Sequence, residues 1–252
     1  MELKMKLGVY LINLDSSTDR LAQASAELKK HNIEFERISA VDGRKLDVKT
    51  YESYNSSQAN ALMGRDLLGA EIGCYLSHKR CVSEFLASDY DFVIVVEDDL
   101  EVISDLVATV KKTVQWLEQN QKGWYLINIG STKRKLSKQM HQIEQHQLLK
   151  AYYFPVLTLG LVWSREGAQA FQHDLIQINA PIDVALQSWL TDLSKGYSIY
   201  PPLVQPNGAE SDIDAVKVNS TAVRQRVGKR WPRQKRMWGN KLKALKNKIC
   251  ST

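Results

Sequence analysis

The sequence predicts an α/β protein: one Rossmann-type sheet domain of the nucleotide-binding kind, followed by a basic helical tail. Three observations lead there. Residues 7–14 (Leu-Gly-Val-Tyr-Leu-Ile-Asn-Leu) are a near-continuous apolar run of strand length, the pattern of a strand covered on both faces. An amphipathic helix and a second strand follow directly, so the chain opens β-α-β. A later apolar strand, residues 91–96, ends abruptly in Glu97-Asp98-Asp99. In sheets of this kind ligands sit beyond the carboxyl ends of the strands.

The elements follow in order. Ser16-Ser17-Thr18-Asp19 fits a capping box, a serine with a carboxylate three residues on. The helix it opens buries Leu21, Ala24 and Leu28 at helical spacing and ends near Asn32. Residues 33–39 alternate as the second strand and stop at the turn Val41-Asp42-Gly43. Residues 44–69 are polar and irregular and read as a mobile loop over a site. Residues 71–87 form a helix with Ile72, Tyr75 or Leu76, Val82 and Phe85-Leu86 inward. After the strand at 91–96 come a long helix near 103–119 and a strand at 124–129. Residues 131–150 read as polar loop with partial helix, and 151–163 as one or two strands broken at Pro155. Ser164 can cap a helix over 165–173, and Pro181 suits the first turn of one reaching Leu193. A short strand at 198–200 and a loop at 201–212 complete the domain.

The chain has 252 residues, 44% apolar and 25% charged, enough for one packed α/β domain and too apolar for a mainly disordered chain. No apolar run approaches the roughly 18–20 residues that cross a bilayer. The first residues, Met1-Glu2-Leu3-Lys4-Met5-Lys6, show no signal-peptide pattern, and Cys74, Cys81 and Cys250 build no disulfide framework. The expected location is cytoplasmic.

The net charge of +6 hides a split. Twelve of the 34 cations lie beyond Asp214 and none of the 28 carboxylates does, so residues 1–214 carry 22 against 28, a net of −6. The division expected is a domain at 1–214 and a basic tail at 215–252. In the tail Trp238, Leu242, Leu245 and Ile249 form an apolar stripe at helical spacing, with Trp231 upstream. Such a helix suits an anionic membrane surface. The alternatives are a helix packed on its own domain by that stripe, and a nucleic-acid contact, for which no groove-reading motif is present.

The acidic triplet is the most informative motif. Adjacent carboxylates at a buried strand end repel one another, and a divalent cation such as Mg²⁺ or Mn²⁺ is the simplest compensation. The bland alternative is a solvated turn leading into the next helix. Cys74, His78 and Cys81 share a helix face at zinc-like spacing, but no fourth ligand is near them.

The ordered set of motifs resembles glycosyltransferase family 25, the galactosyltransferase-type enzymes of lipooligosaccharide and lipopolysaccharide biosynthesis, related to collagen galactosyltransferases. It comprises Ile12-Asn13-Leu14-Asp15 with Asp19-Arg20, Ser39-Ala40-Val41-Asp42-Gly43, and Gly73-Cys74-Tyr75-Leu76-Ser77-His78. Glu97-Asp98-Asp99 follows, then Thr158-Leu159-Gly160, Ser164-Arg165-Glu166-Gly167-Ala168, Pro181-Ile182-Asp183 and Pro202-Leu203-Val204-Gln205. The resemblance spans about residues 6–212. It implies a GT-A fold, a UDP-sugar donor such as UDP-galactose, Mn²⁺ or Mg²⁺, and transfer with inversion onto a lipid-anchored oligosaccharide at the cytoplasmic face of an inner membrane.

Carried over residue by residue, the resemblance makes Glu97 and Asp99 metal ligands and leaves Asp98 to the ribose or donor sugar. Ser77 and His78 would face the nucleotide, Asn13 and Asp15 would receive uridine, Arg20 would reach a phosphate, and Asp42 the base or ribose. Gln205, with Asn207, would touch metal or donor. Asp183 is the candidate general base, with Glu210 and Asp212 as alternatives. Relatives often carry a late histidine as a third metal ligand, and this chain has none after His173. Two other classes compete: a non-catalytic membrane or nucleic-acid binder using the tail, and a sugar nucleotidyltransferase, whose Gly-rich phosphate loop is missing.

Overall fold

The computed structural model describes residues 5–48, 50–208 and 230–250. The first three strands are β1 (Leu7–Asn13), β2 (Glu36–Ser39) and β3 (Phe92–Glu97). After β4 (Leu100–Val102) come β5 (Leu126–Asn128), β6 (Ser137–Ile143), β7 (His146–Ala151), β8 (Gly160–Ser164), β9 (Gly196–Tyr200) and β10 (Val204–Pro206). Eight of them form one sheet in the order β2-β1-β3-β8-β5-β9-β7-β6, while β4 and β10 pair separately. β1 runs parallel to β2 and β3; β8 is antiparallel to β3 and β5; β5 and β9 are parallel. With β7 antiparallel to both β9 and β6, only β7 and β8 oppose the common direction.

The apolar run of β1 is explained by cover on both faces. Tyr10 and Ile12, with Val93 and Val95, join a core that also holds residues of α3 (Gly69–Ala87), α5 (Arg165–Asp174) and α6 (Ile182–Leu193). Val9 and Leu11, with Ile94 and Val96, join the opposite core under α1 (Thr18–Lys30) and α4 (Leu106–Asn120). Alternate side chains of one strand thus leave water on opposite sides, each contributing on the order of 1.5–3 kcal/mol when fully buried.

Four local expectations are corrected. Ser17 stands at the N-cap of α1 with no side-chain bond to the helix, so no capping box forms there. The segment at 44–69 is not all loop: α2 (Ser56–Met63) is closed by the Asn55 side chain accepting from Gln58 N and by Gly64 at φ 75°. The segment at 131–150 is largely the hairpin of β6 and β7 rather than loop and partial helix. β7 is secured by Leu148 and Leu149, buried on alternate faces against β9. The loop after β9 contains β10, which pairs Gln205 with Glu101 of β4.

The C-terminal helix α7 (Arg230–Cys250) packs on α2 and α6, but not through its apolar stripe. Asn240 donates to Ser188 Oγ at 2.9 Å, Asn247 to the Thr191 carbonyl at 2.7 Å, and Ala244 is fully buried beside Tyr152 and Tyr153. Trp231, Trp238, Leu242, Leu245 and Ile249 remain 76%, 61%, 65%, 42% and 74% exposed. Residues 215–229 of the basic tail lie outside the described residues.

Candidate active site

The site begins with strand direction. β1, β2 and β3 are parallel, and the pairings Ile12 with Glu97 and Asn13 with Ser39 bring their carboxyl ends to one edge. Beside that edge the turn at 41–43 presses against α3. A Cβ on Gly43 would stand 1.8 Å from the Gly69 carbonyl oxygen, and one on Gly73 2.5 Å from the Val41 carbonyl oxygen. Only glycine allows backbone to meet backbone so closely. Ser77 ties the contact, accepting from Val41 N at 2.9 Å while donating to the Gly73 carbonyl at 2.7 Å. Between turn, helix and strand ends lies a cavity lined by Asn13, Asp42, Ser77, His78, Glu97 and Asp98, among others.

The three carboxylates are treated differently by their surroundings. Asp98 is buried and accepts from Asn13 Nδ2 at 2.6 Å and from Arg20. Burial nevertheless holds its pKa above the ordinary value, against the pull of Asn13 and Arg20. Glu97 accepts from Thr158 Oγ1 at 2.6 Å and from His78 Nε2 at 3.1 Å, both on Oε1. Burial works to raise its carboxyl, but the His78 and Thr158 contacts outweigh it and leave the pKa lowered. Asp99 has a buried Oδ1 with no partner among the described residues, and its Oδ2 lies 3.8 Å from Arg20. Burial first, then the charge of Glu97, pushes its pKa to about 6.

This arrangement fits a divalent cation. Glu97 Oε2 takes neither of the two bonds to that carboxylate, and Asp99 Oδ1 is orphaned, so among the described residues two hard oxygens are left for a cation. Hard oxygens suit Mg²⁺ and Mn²⁺. A softer group also gathers here: ligand atoms of Cys74, His78 and Glu97 lie within 4.8 Å of one another, whereas Cys81 is not part of the cluster. Burial and the nearby carboxylates push the Cys74 thiol well up, and a protonated thiol is a poor metal ligand.

The other residues singled out by sequence divide. Asn13, Asp42, Ser77 and His78 line the cavity, Asp42 while also accepting from Arg44 Nε at 2.7 Å. That bond, opposed by burial, lowers the Asp42 pKa. Arg20 reaches the site by holding Asp98. Asp15 is not brought in: it is largely exposed and paired with Arg37 and Ser39. Gln205 is not brought in either, because its amide donates to Glu101 at 2.7 Å across the β4–β10 pair. Glu210 and Asp212 lie outside the described residues. Asp183 opens on a neighbouring cavity, and burial, with the charges of Glu71 and Glu97, raises its pKa. Cys74 lines the first cavity, and the charges of Glu97, Asp183 and Asp99 all act on its thiol.

Two contributors were not assigned from sequence. Thr158 lay inside a matched motif, yet its bond to Glu97 exists only because β8 pairs with β3. Arg65 forms a buried bidentate pair with Glu71 at 2.7 and 2.6 Å, which closes the start of α3. No sequence signal distinguishes that arginine from a surface one.

Fold and site define an α/β sheet domain with an acidic strand end beside a cavity. The model of "Glycosyltransferase family 25 (LPS biosynthesis protein)" matches residues 6–186, and the chain belongs to that family. It is 28% identical over 165 residues to procollagen galactosyltransferase 2 of Homo sapiens, a match covering 64% of this chain and 26% of the relative. It is 30% identical over 166 residues to procollagen galactosyltransferase 1 of Danio rerio, covering 64% and 27%. The match thus spans about a quarter of the length of these relatives. Two other relatives are named "Probable inactive glycosyltransferase 25 family member 3" of Bos taurus and "Inactive glycosyltransferase 25 family member 3" of Homo sapiens. Among solved structures, A197 from STIV aligns with a TM-score of 0.41 at 12% identity, covering 79% of this chain and 83% of that one.

Proposed function

We propose that this chain is an inverting, divalent-cation-dependent glycosyltransferase that moves galactose from UDP-galactose onto a lipooligosaccharide or lipopolysaccharide core. The observation that carries the reading is the division among the three carboxylates. Asp98 is satisfied by Asn13 and Arg20, while the bonds to Glu97 fall on Oε1 and leave Oε2 aside, and Asp99 Oδ1 has no partner among the described residues. Family membership supports the reaction class, the relatives' names support galactose, and the family's description supports the acceptor.

Glu97 and Asp99 would hold Mn²⁺ or Mg²⁺, which when bound supplies positive charge for the diphosphate leaving group. The protein's own part is positional. Arg20 and Asn13 fix Asp98, and His78 and Thr158 orient Glu97. The wall formed by Asp42 and Ser77 receives the nucleoside. In the transfer the acceptor oxygen forms a bond to the anomeric carbon as the bond from that carbon to the UDP oxygen breaks. Asp183 takes the acceptor's hydroxyl proton, a role favoured by a carboxylate whose burial raises its basicity.

The tail supports a location at an anionic membrane surface. Tryptophans and aliphatic side chains face outward from α7 among lysines, and Lys241 sits 4.6 Å from the Trp238 ring centre. No helix among the described residues is long and apolar enough to cross a membrane, so the contact proposed is peripheral. With a nucleotide sugar as donor, the reading puts the reaction at the cytoplasmic face of an inner membrane.

The test is UDP release from a panel of UDP-sugars, with an oligosaccharide acceptor and Mn²⁺. Acceptor-dependent release that EDTA abolishes is expected, with Asp183→Asn retaining UDP binding and losing at least about a hundredfold in kcat. No release with any UDP-sugar, or full activity of Asp183→Asn, would refute the corresponding assignment.

A further inference from the structure

A second cavity, of about 290 Å³, opens where α7 closes over the start of α6. Its charged lining is four cations, Lys133, Lys135, Arg233 and Arg236, against one carboxylate, Asp183. They come from three separate parts of the chain: the segment after β5, the tail helix, and the first turn of α6. Arg236 is not an ordinary surface cation. Its Nη1 donates to the Leu62 carbonyl at 3.2 Å, and its buried Nε has no partner among the described residues. Burial and the neighbouring Arg233 hold its pKa below the usual arginine value, against the opposing pull of Tyr153 and Asp183. Asp183 offsets only part of the excess.

We propose that this cavity is the acceptor subsite and selects a sugar unit carrying an anionic group, phosphate or carboxylate. The proposal rests on the transferase reading. The donor diphosphate belongs at the acidic strand end with its cation, so the arginine and lysine cluster is not needed for it. The anion sits against Arg236 and Arg233, with Lys133 and Lys135 at the mouth. A hydroxyl of the same or the adjoining sugar then meets Asp183, which lines this cavity and whose pKa the charge of Glu97 helps to raise. The tail helix thereby becomes part of the substrate site as well as a surface anchor.

The test uses the full chain saturated with UDP and Mn²⁺, so that the donor pocket is filled, titrated with glucose 6-phosphate, glucuronate and glucose. The charged sugars should bind at least about tenfold more tightly than glucose, and less so at 1 M salt, where the Debye length falls to about 3 Å. The phosphate and carboxylate arms show which anion is preferred. Arg236→Gln should erase the preference. Because that side chain also touches α2, the exposed pair Lys133→Gln/Arg233→Gln serves as a second variant and should reduce it at least about threefold. Co-sedimentation with anionic vesicles should be the same for Arg236→Gln and the native chain, separating a sugar-borne anion from a lipid headgroup. Equal binding of all three sugars, or an unchanged preference in both variants, would overturn the proposal. Failure of UDP itself to bind would sink the transferase reading, and anion binding without a donor site would overturn the assignment as an acceptor subsite.

Discussion

Replacing Asp99 by asparagine should make the metal-free protein more stable at pH 8 while removing its metal-dependent turnover. Asp99 ionises near 3.8 in an unfolded chain and near 6 in the fold, because burial and Glu97 oppose its charge. A raised acid contributes stability that is fully present below pH 3.8 and is lost as the pH rises to about 6, since the native state then holds the proton more tightly than the unfolded one. A shift of about two units corresponds to roughly 3 kcal/mol at 1.36 kcal/mol per unit. Asparagine keeps the shape and carries no charge to desolvate, so Asp99→Asn should gain up to that amount at pH 8. In a chain of this length this is on the order of 6–12 °C in Tm. The assay is thermal or urea unfolding in EDTA across pH 3.5–8, repeated with Mn²⁺. The two proteins should converge at the acid end, and Mn²⁺ at pH 8 should stabilise only the native sequence. A variant less stable than native at pH 8, or a gain that persists undiminished at pH 3.5, would refute the reasoning.

Thr158→Val removes one of the two bonds to Glu97 Oε1 and should cost about 1.5–3 kcal/mol, the range for hydrogen bonds to charged groups. Calorimetric titration should show weaker Mn²⁺ binding as well; unchanged stability would mean the bond has no role. Gly43→Ala drives a Cβ into the Gly69 carbonyl and should destabilise the chain by about 1–3 kcal/mol or more, with a loss of UDP affinity in equilibrium binding. A neutral effect there would contradict the close backbone crossing. Trp238→Ser combined with Leu242→Ser should change unfolding free energy by no more than about 0.5 kcal/mol per site, as both side chains are exposed. The same variant should sediment less with anionic vesicles; equal sedimentation would exclude the membrane role.

The sequence by itself determined the β-α-β opening, the buried central strand and the acidic triplet at its end. Each depends on near-neighbour patterns: side chains alternating along β1 and β3, helical spacing in α1 and α3, and a sharp apolar-to-acidic change at Glu97. It also exposed the charge split and the stripe on α7, because both are counts along the chain. Tertiary structure alone decided the rest. The hairpin at 137–151 has weak local patterning and is fixed by β7 adding to β9. Which carboxylate is satisfied and which is left bare depends on Asn13, Arg20, His78 and Thr158 arriving from four separate segments. The same holds for the outward turn of the α7 stripe. Periodicity shows that a helix has an apolar side, but Asn240, Ala244 and Asn247 chose the packed face, through bonds and fit that exist only once α6 is in place.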